Sequence, residues 1–448
     1  MPLEDFFSVV GVFLVLTPFL GVLCSLALFP LYAPRFWERR MGWVSFLWTC
    51  PSFAYLWYMH SFSRAWGVVG TVAFLDFLPF IGLLSTLYVL AGGLKLHINL
   101  AATPARNTGI LAFFALLSGF FGTTGSAMLG IHPLLLVNKR RLHKTHTVIF
   151  FILLVCNISG GFSSVGDPPL FLGFLKGVSF LWPTQNLWWP VCCMTLVLLL
   201  IYFLLDLYFF KREPEKVQAP VARRRFHVEG TAQIGLVCLV LATLILTPFL
   251  CTTLRFVHQE WVQEGVKLVI FSLVITLSFY ITPMDWRRRH RWTLHPLKEV
   301  SIIFLAIFIT AHPIITLLGQ GANGPFASLL APLNTPDGQP AVMAYFWLTG
   351  IFSAFLDNAP TYLIFFGAAG SDPAYLMNEG RTLLSAISLG AVFMGAMTYI
   401  GNAPNLMVKH IAEEEYKVPM PSFGRYTLYA LCLLLPLFWL MIPYLLPS

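Results

Sequence analysis

The sequence predicts an all-α polytopic membrane protein built as two inverted repeats of five spans, each repeat carrying a re-entrant hairpin and a broken helix. Three observations predict it. Twelve apolar segments fill the chain and leave no room for a soluble domain. The basic loops between them fall on one side of a membrane only if two of the segments are hairpins. Several short motifs recur at one offset of 235 residues. Composition agrees, with 57% hydrophobic residues, 11% charged residues and a mean hydropathy of +0.75, against roughly 25% charged in soluble domains.

The net charge of +8 would suit nucleic acid, but the basic residues sit in short loops beside apolar runs, where they set topology. No nucleic-acid partner is expected, and the lipid bilayer is. The eight cysteines lie in apolar stretches without metal-ligand or disulfide-framework spacing and read as small hydrophobes. Glu4 and Asp5 replace a basic N-terminal region and no small-residue cleavage site follows, so the first apolar run is expected to be a retained span.

Taken in order, the apolar segments cover about residues 8–32, 43–59, 67–91, 109–136, 147–180, 188–210, 231–254, 265–284, 299–318, 343–368, 383–408 and 426–446. The loops holding Arg35, Arg39 and Arg40, Lys139 to Lys144, Arg223 to Arg225, and Arg287 to Arg289 are expected on the cytoplasmic side. A single crossing by 109–136 would put Arg106 and the Lys139–Lys144 run on opposite sides. A hairpin entered from the cytoplasm keeps both inside and places Gly122, Thr123, Thr124, Gly125 and Ser126 at its tip. By the same count 343–368 is a hairpin entered from outside, after the weakly charged stretch 319–340. The first repeat is then 1–210, the cytoplasmic linker 211–230 and the second repeat 231–448. An odd number of spans in each half inserts the second upside down.

The offset of 235 pairs Ser118-Gly119-Phe120 with Ser353-Ala354-Phe355 and the run from Ser163 to Gly166 with that from Thr398 to Gly401. It also pairs Gly160 with Gly395, Pro169 with Pro404, Trp57 with Trp292 and His60 with His295. Each identity is weak alone. Their shared register argues for duplication.

Residues Asn157 to Leu170 contain three glycines and two prolines, which no continuous helix accommodates, so 147–180 is expected to be a broken helix. An unwound segment at membrane depth must line a cavity or be buried in protein, and its oxygens can then hold a cation. Asp167 adds a carboxylate there, either as a functional group or as a cap on the helix that begins at the two prolines. The second half repeats the break over 383–408 as Thr398-Tyr399-Ile400-Gly401-Asn402-Ala403-Pro404-Asn405, with Asn402 at the position of Asp167. The hairpin tips differ in the opposite sense, Gly122-Thr123-Thr124 against Asp357-Asn358-Ala359. Two midplane carboxylates suit a site that exchanges protons for a cation, because each must be protonated or neutralised. Asp76, inside the third segment, is read as a proton relay or as the partner of a basic side chain. His132 and His312 are read as interfacial packing, Lys176, Lys298 and Lys409 as snorkelling, Glu299 as a surface pair with Lys298, and Trp182, Trp188 and Trp189 as lipid-facing belt.

The runs from Ser353 to Thr361 and from Ser164 to Asp167 resemble those of the ion transporter superfamily, especially bacterial sodium/proton antiporters of the D type and the putative citrate transporter branch. The resemblance covers nearly the whole chain in segment order and is specific at four short motifs. It implies a scaffold domain, often at a homodimer interface, a mobile domain of hairpins and broken helices, and the bacterial inner membrane. It makes Asp167, Asp357 and Asn358 ion-site residues, with sodium as the metal, and places Ser163, Ser164, Thr398 and Asn402 nearby. Asn157, Thr123, Ser126, Thr361 and Asn405 complete the candidate set. The chain departs from the antiporter pattern at the first tip, where an Asp-Asn pair is expected and Gly122-Thr123 stands, which leaves the coupling ion open.

Sodium or another cation exchanged for protons is therefore the leading expectation, since no arginine lies in the four motifs to bind an anion. The alternative is cation-coupled symport of citrate or another carboxylate, taken as a metal complex or held by half-helix N-termini. An enzyme is not expected. Gly166-Asp167 lacks the flanking pattern of membrane aspartyl proteases, no His-Glu-x-x-His motif occurs and no cofactor is implied. Paired hairpins favour alternating access over a channel.

Overall fold

The computed structural model describes residues 3–214, 225–253, 260–289, 292–320, 324–335 and 337–446. Residues 215–224 of the expected linker, with Arg223 and Arg224, lie outside that set, as do 321–323 and 336 of the expected outer loop. The chain is mostly helical, and seven helices among the described residues are long and apolar enough to cross a membrane. With the shorter apolar helices they make a polytopic membrane protein.

Helices Leu3–Tyr32, Pro34–Met59 and Phe62–Ala91, the last with a π-helical turn at Val72–Phe77, precede the first hairpin. Pro104–Val137 is helical on both sides of Gly122, whose φ of 73° and ψ of 161° reverse the chain. Glycine adopts that φ and ψ without the steric penalty that a side chain carries there. The fold-back is shown by Asn107 and Asn138, which exchange side-chain hydrogen bonds of 2.9 and 3.1 Å although 31 residues separate them. The second hairpin, Val342–Leu356 and Asn358–Ala368, turns on Asp357 with φ 72° and ψ 145°. Tyr345 Oη donates to Ala368 O at 3.1 Å across its base. The two turning residues stand 235 positions apart in sequence and share one backbone conformation.

Both broken helices are present. The first runs Thr145–Leu154, a 3-10 turn Ile158–Phe162, then Pro168–Leu175; the second runs Arg381–Met394, a turn Gly395–Met397, then Ala403–Glu414. A Cβ at Gly166 would stand 2.1 Å from Gly160 O, and one at Gly401 would stand 2.6 Å from Gly395 O, so each break closes on itself only with glycine. These segments are the core: Ile152–Gly161 and Leu383–Tyr399 are buried throughout. The long helices Glu260–Ile281 and Phe423–Leu445 instead expose Leu273, Tyr280 and Trp439, the pattern of spans whose outer face meets lipid.

The expectation of an all-α chain needs one correction. Lys95–Asn99 pairs antiparallel with Arg225–Glu229, placing Lys95 opposite Glu229. The end of the linker is thereby tied to the segment leading into the first hairpin. Trp182 is another correction, being buried with its indole N–H donated to Met377 O at 3.4 Å, while Trp188 and Trp189 stay exposed. Lys176 and Lys409 do not simply extend to water, since they pair with Asp76 at 2.7 Å and Glu413 at 2.6 Å. Glu299 pairs with His295 at 3.5 Å, and His132 Nδ1 meets Tyr416 Oη at 3.1 Å.

Candidate functional site

Asp167 stands at the head of the half-helix Pro168–Leu175 in extended backbone, yet its carboxylate makes no cap to that helix. It is 1% exposed. Oδ1 accepts hydrogen bonds from Thr123 Oγ1 at 2.8 Å and Asn402 Nδ2 at 3.0 Å, and Oδ2 accepts one from Asn358 Nδ2. The first hairpin tip, the second break and the second hairpin tip thus each send one neutral donor to the carboxylate of the first break. Backbone pairing reinforces this, with Thr123 N–H donating to Gly166 O at 2.8 Å.

The second acid, Asp357, is the turning residue of its hairpin and is also buried. Its Oδ1 accepts a long bond of 3.4 Å from Ala359 N–H. Both acids line a cavity of about 60 Å³, room for a few waters. Phe80, Phe121, Phe171 and Phe304 wall it, and Tyr88, the part-exposed Pro296 and Leu297 and the exposed Ala403 also line it. No lysine, arginine or histidine is among its lining residues.

Four helix N-termini meet there. Gly122 and Thr123, Asp167 and Pro168, Asp357, and Asn402 and Ala403 all line the cavity, and each marks the start of a helix or hairpin arm. N-termini carry partial positive charge and unpaired N–H groups, which favour anions. Among the described residues no group of three or more His, Cys, Asp or Glu side chains could hold a metal, which leaves carboxylate, amide and hydroxyl oxygens, the donors of a hard cation. Among the described residues Asn358 Oδ1, buried beside Asp167, has no hydrogen-bond partner, and a cation would satisfy it.

A model of the family described as "putative citrate transport" matches residues 9–446. The chain belongs to that family. No curated protein gives a significant match. Membership makes the chain a secondary transporter and not an enzyme.

In this citrate-transport family member the remaining sequence-predicted residues divide by what they touch. Ser163 Oγ donates to Gly119 O, and Thr398 Oγ1 to Ala354 O, so each break is tied to the first arm of its own hairpin at matching positions. Ser164 Oγ donates to Phe180 O at 2.7 Å, and Thr361 Oγ1 donates back to Asp357 O at 2.7 Å. Asn157 Nδ2 donates to Asn405 Oδ1 at 2.8 Å, joining the two breaks, while Asn405 Nδ2 holds Gly395 O and Thr398 O at 2.9 Å. These groups brace the cavity and do not line it. Ser126 Oγ is buried with no partner among the described residues. Asp76 is outside the cavity, in the π-helical turn, paired with Lys176.

Sequence reasoning missed a second buried network. Arg141, expected in a loop on the cytoplasmic side, is fully buried; its Nη1 and Nη2 meet Asp206 at 2.9 and 2.8 Å. Asp206 also contacts His146 Nε2 at 2.8 Å and accepts from Asn107 at 3.1 Å. Glu213 accepts from the backbone N–H groups of Leu142 and His143 at 3.0 and 2.8 Å. The network pins the base of the first hairpin to Trp188–Phe210. Its signal was present: Asp206 is a carboxylate within an apolar segment, as Asp167 is.

Proposed function

We propose that this chain moves citrate or a related carboxylate together with a cation through the Asp167–Asp357 cavity by alternating access. The observation that carries the reading is the pairing of opposite demands in one cavity: four helix N-termini that favour an anion, and two carboxylates without a basic side chain among the lining. A bare carboxylate would be repelled by Asp167 and Asp357, whereas a cation–carboxylate complex satisfies both. The family match supports the carboxylate over simple ion exchange. Protons would compete with the cation for the same two acids.

Cation/proton exchange, the leading expectation from sequence, keeps one observation in its favour, the absence of a basic side chain from the cavity lining. Inverted repeats belong to the same proposal. They are supported by the shared conformation of Gly122 and Asp357 and by the matching braces of Ser163 and Thr398. A homodimer in the bacterial inner membrane is carried over with the family resemblance. The test is a proteoliposome assay that follows labelled citrate and internal pH together while sodium, potassium or magnesium is varied. Citrate uptake that needs a cation supports the proposal; cation-driven pH change with no citrate movement supports exchange.

A further inference from the structure

Three elements run from the cavity to a cluster of charges the site does not use. On Phe62–Ala91, residues from Phe80 to Tyr88 line the cavity and Asp76 lies one turn before Phe80, at mid-helix. On His295–Leu318, residues from Pro296 to Phe304 line it and His312 lies further along. On the half-helix Pro168–Leu175, Pro168 and Phe171 line it and Lys176 follows the last turn. Along their elements Asp76, Lys176 and His312 therefore lie on the side of the cavity away from Tyr88 and Pro296. Lys176 Nζ meets Asp76 Oδ1 at 2.7 Å, and His312 is within electrostatic reach of both.

Between this cluster and the cavity aromatic rings pack together, mostly tilted or edge to face. Phe80 lies 4.6 Å from Phe304, 5.6 Å from Phe308 and 6.2 Å from Phe171, and Phe77 lies 6.5 Å from Phe308. The rings form an apolar layer, and the ion pair lies on its far side from the cavity. Asp76 sits in a π-helical turn, an arrangement frequent at functional positions. Asp76 and His312 belong to long helices, while Lys176 belongs to the half-helix that begins at Asp167. The side chains of Lys176 and Asp76 are 29% and 15% exposed, so the pair is not sealed in the protein interior and its contribution is modest, as a contact that must open requires.

We propose that the Asp76–Lys176 ion pair is the lock of the closed face: it holds the far end of the Asp167 half-helix while the cavity is reached past Tyr88 and Pro296, and it parts when access switches. This rests on reading the cavity as an alternating-access site, but not on the identity of the substrate. Asp76 and Lys176 are positioning residues, acting on Asp167 through Pro168–Leu175.

The test reads accessibility, so a failure of citrate transport would not decide it. In protein with its eight native cysteines replaced, a Phe171→Cys reporter in proteoliposomes is labelled by a membrane-impermeant thiol reagent applied to either face. The lock predicts slow labelling from the Lys176 face. Asp76→Asn and Lys176→Met should each raise it by roughly 5-fold without raising labelling from the Pro296 face, and the swap Asp76→Lys with Lys176→Asp should bring it back. Elution as a single species checks folding. Should a variant fail that check, raising the ionic strength on the reporter protein with Asp76 and Lys176 intact must still speed labelling from the Lys176 face. Equal acceleration from both faces, or no response to neutralisation and salt, would overturn the proposal.

Discussion

Asn402 Nδ2 donates to Asp167 Oδ1 at 3.0 Å across 235 residues, the offset that relates the halves of the sequence. The residues occupying corresponding places in the two breaks therefore touch, one as carboxylate and the other as amide. The asymmetry limits charge: a carboxylate at 402 would be a third in a cavity that already holds Asp167 and Asp357, with no basic side chain in the lining to offset it.

Asn358→Ala removes the donor to Asp167 Oδ2 and the unpartnered Oδ1 together. The apparent KM for the coupling cation should rise by about tenfold, the scale of one charged hydrogen bond, while the KM for carboxylate changes less. Cation titrations of uptake at saturating citrate check this. Equal changes in the two constants would remove Asn358 from the cation site.

Acid should weaken cation binding. A protonated carboxylate cannot hold a cation, so each proton displaced makes apparent affinity fall as pH falls, by up to tenfold per unit where binding releases one proton. Uptake measured across a pH series at fixed citrate and varied cation gives the slope. An affinity independent of pH would exclude competition at Asp167 and Asp357.

The turning residues separate stability from function. Gly122→Ala should destabilise the protein by about 1–3 kcal/mol, its Cβ also lying 3.2 Å from Val165 O. Asp357→Gly relaxes the same conformation, so thermal unfolding in detergent should be unchanged or later while transport is lost. A large loss of stability in Asp357→Gly would assign that carboxylate a structural role.

Asp206→Asn should cost about 3–5 kcal/mol, because it leaves the buried Arg141 guanidinium short of its closest carboxylate. Lys409→Ala, which breaks a partly exposed pair with Glu413 on one helix face, should cost about 0.3–0.5 kcal/mol. Thermal unfolding of the two variants side by side reads the contrast.

Much of this arrangement was legible because proline and glycine act locally. The Gly-Gly and Pro-Pro pairs between Gly160 and Pro169 cannot continue a helix in any tertiary setting, and Gly122 marks a reversal for the same reason. Register extended the reading from one half to the other. It could say that Asn402 corresponds to Asp167, but not that the two side chains meet, since contact depends on how the halves pack. For the same reason the hydroxyls of Ser163 and Thr398 read as ion ligands, although each is committed to a carbonyl of its own hairpin. The burial of Arg141 was not legible, because counting loop charges gives a side of the membrane and not a partner, and here the partner is Asp206, 65 residues away. The five-residue strands at Lys95 and Arg225 are too short and too charged to stand out from loops.

The measurement that tests the central claim most directly is cation-dependent uptake of labelled citrate by proteoliposomes carrying the parent protein or Asp167→Asn. Asparagine keeps the shape of the side chain but can neither release a proton nor neutralise a cation. The account predicts uptake by the parent only when a coupling cation is present, and none by Asp167→Asn protein that elutes and melts as the parent does. Cation-dependent uptake at the parent's rate in Asp167→Asn would contradict it and place the transport site elsewhere.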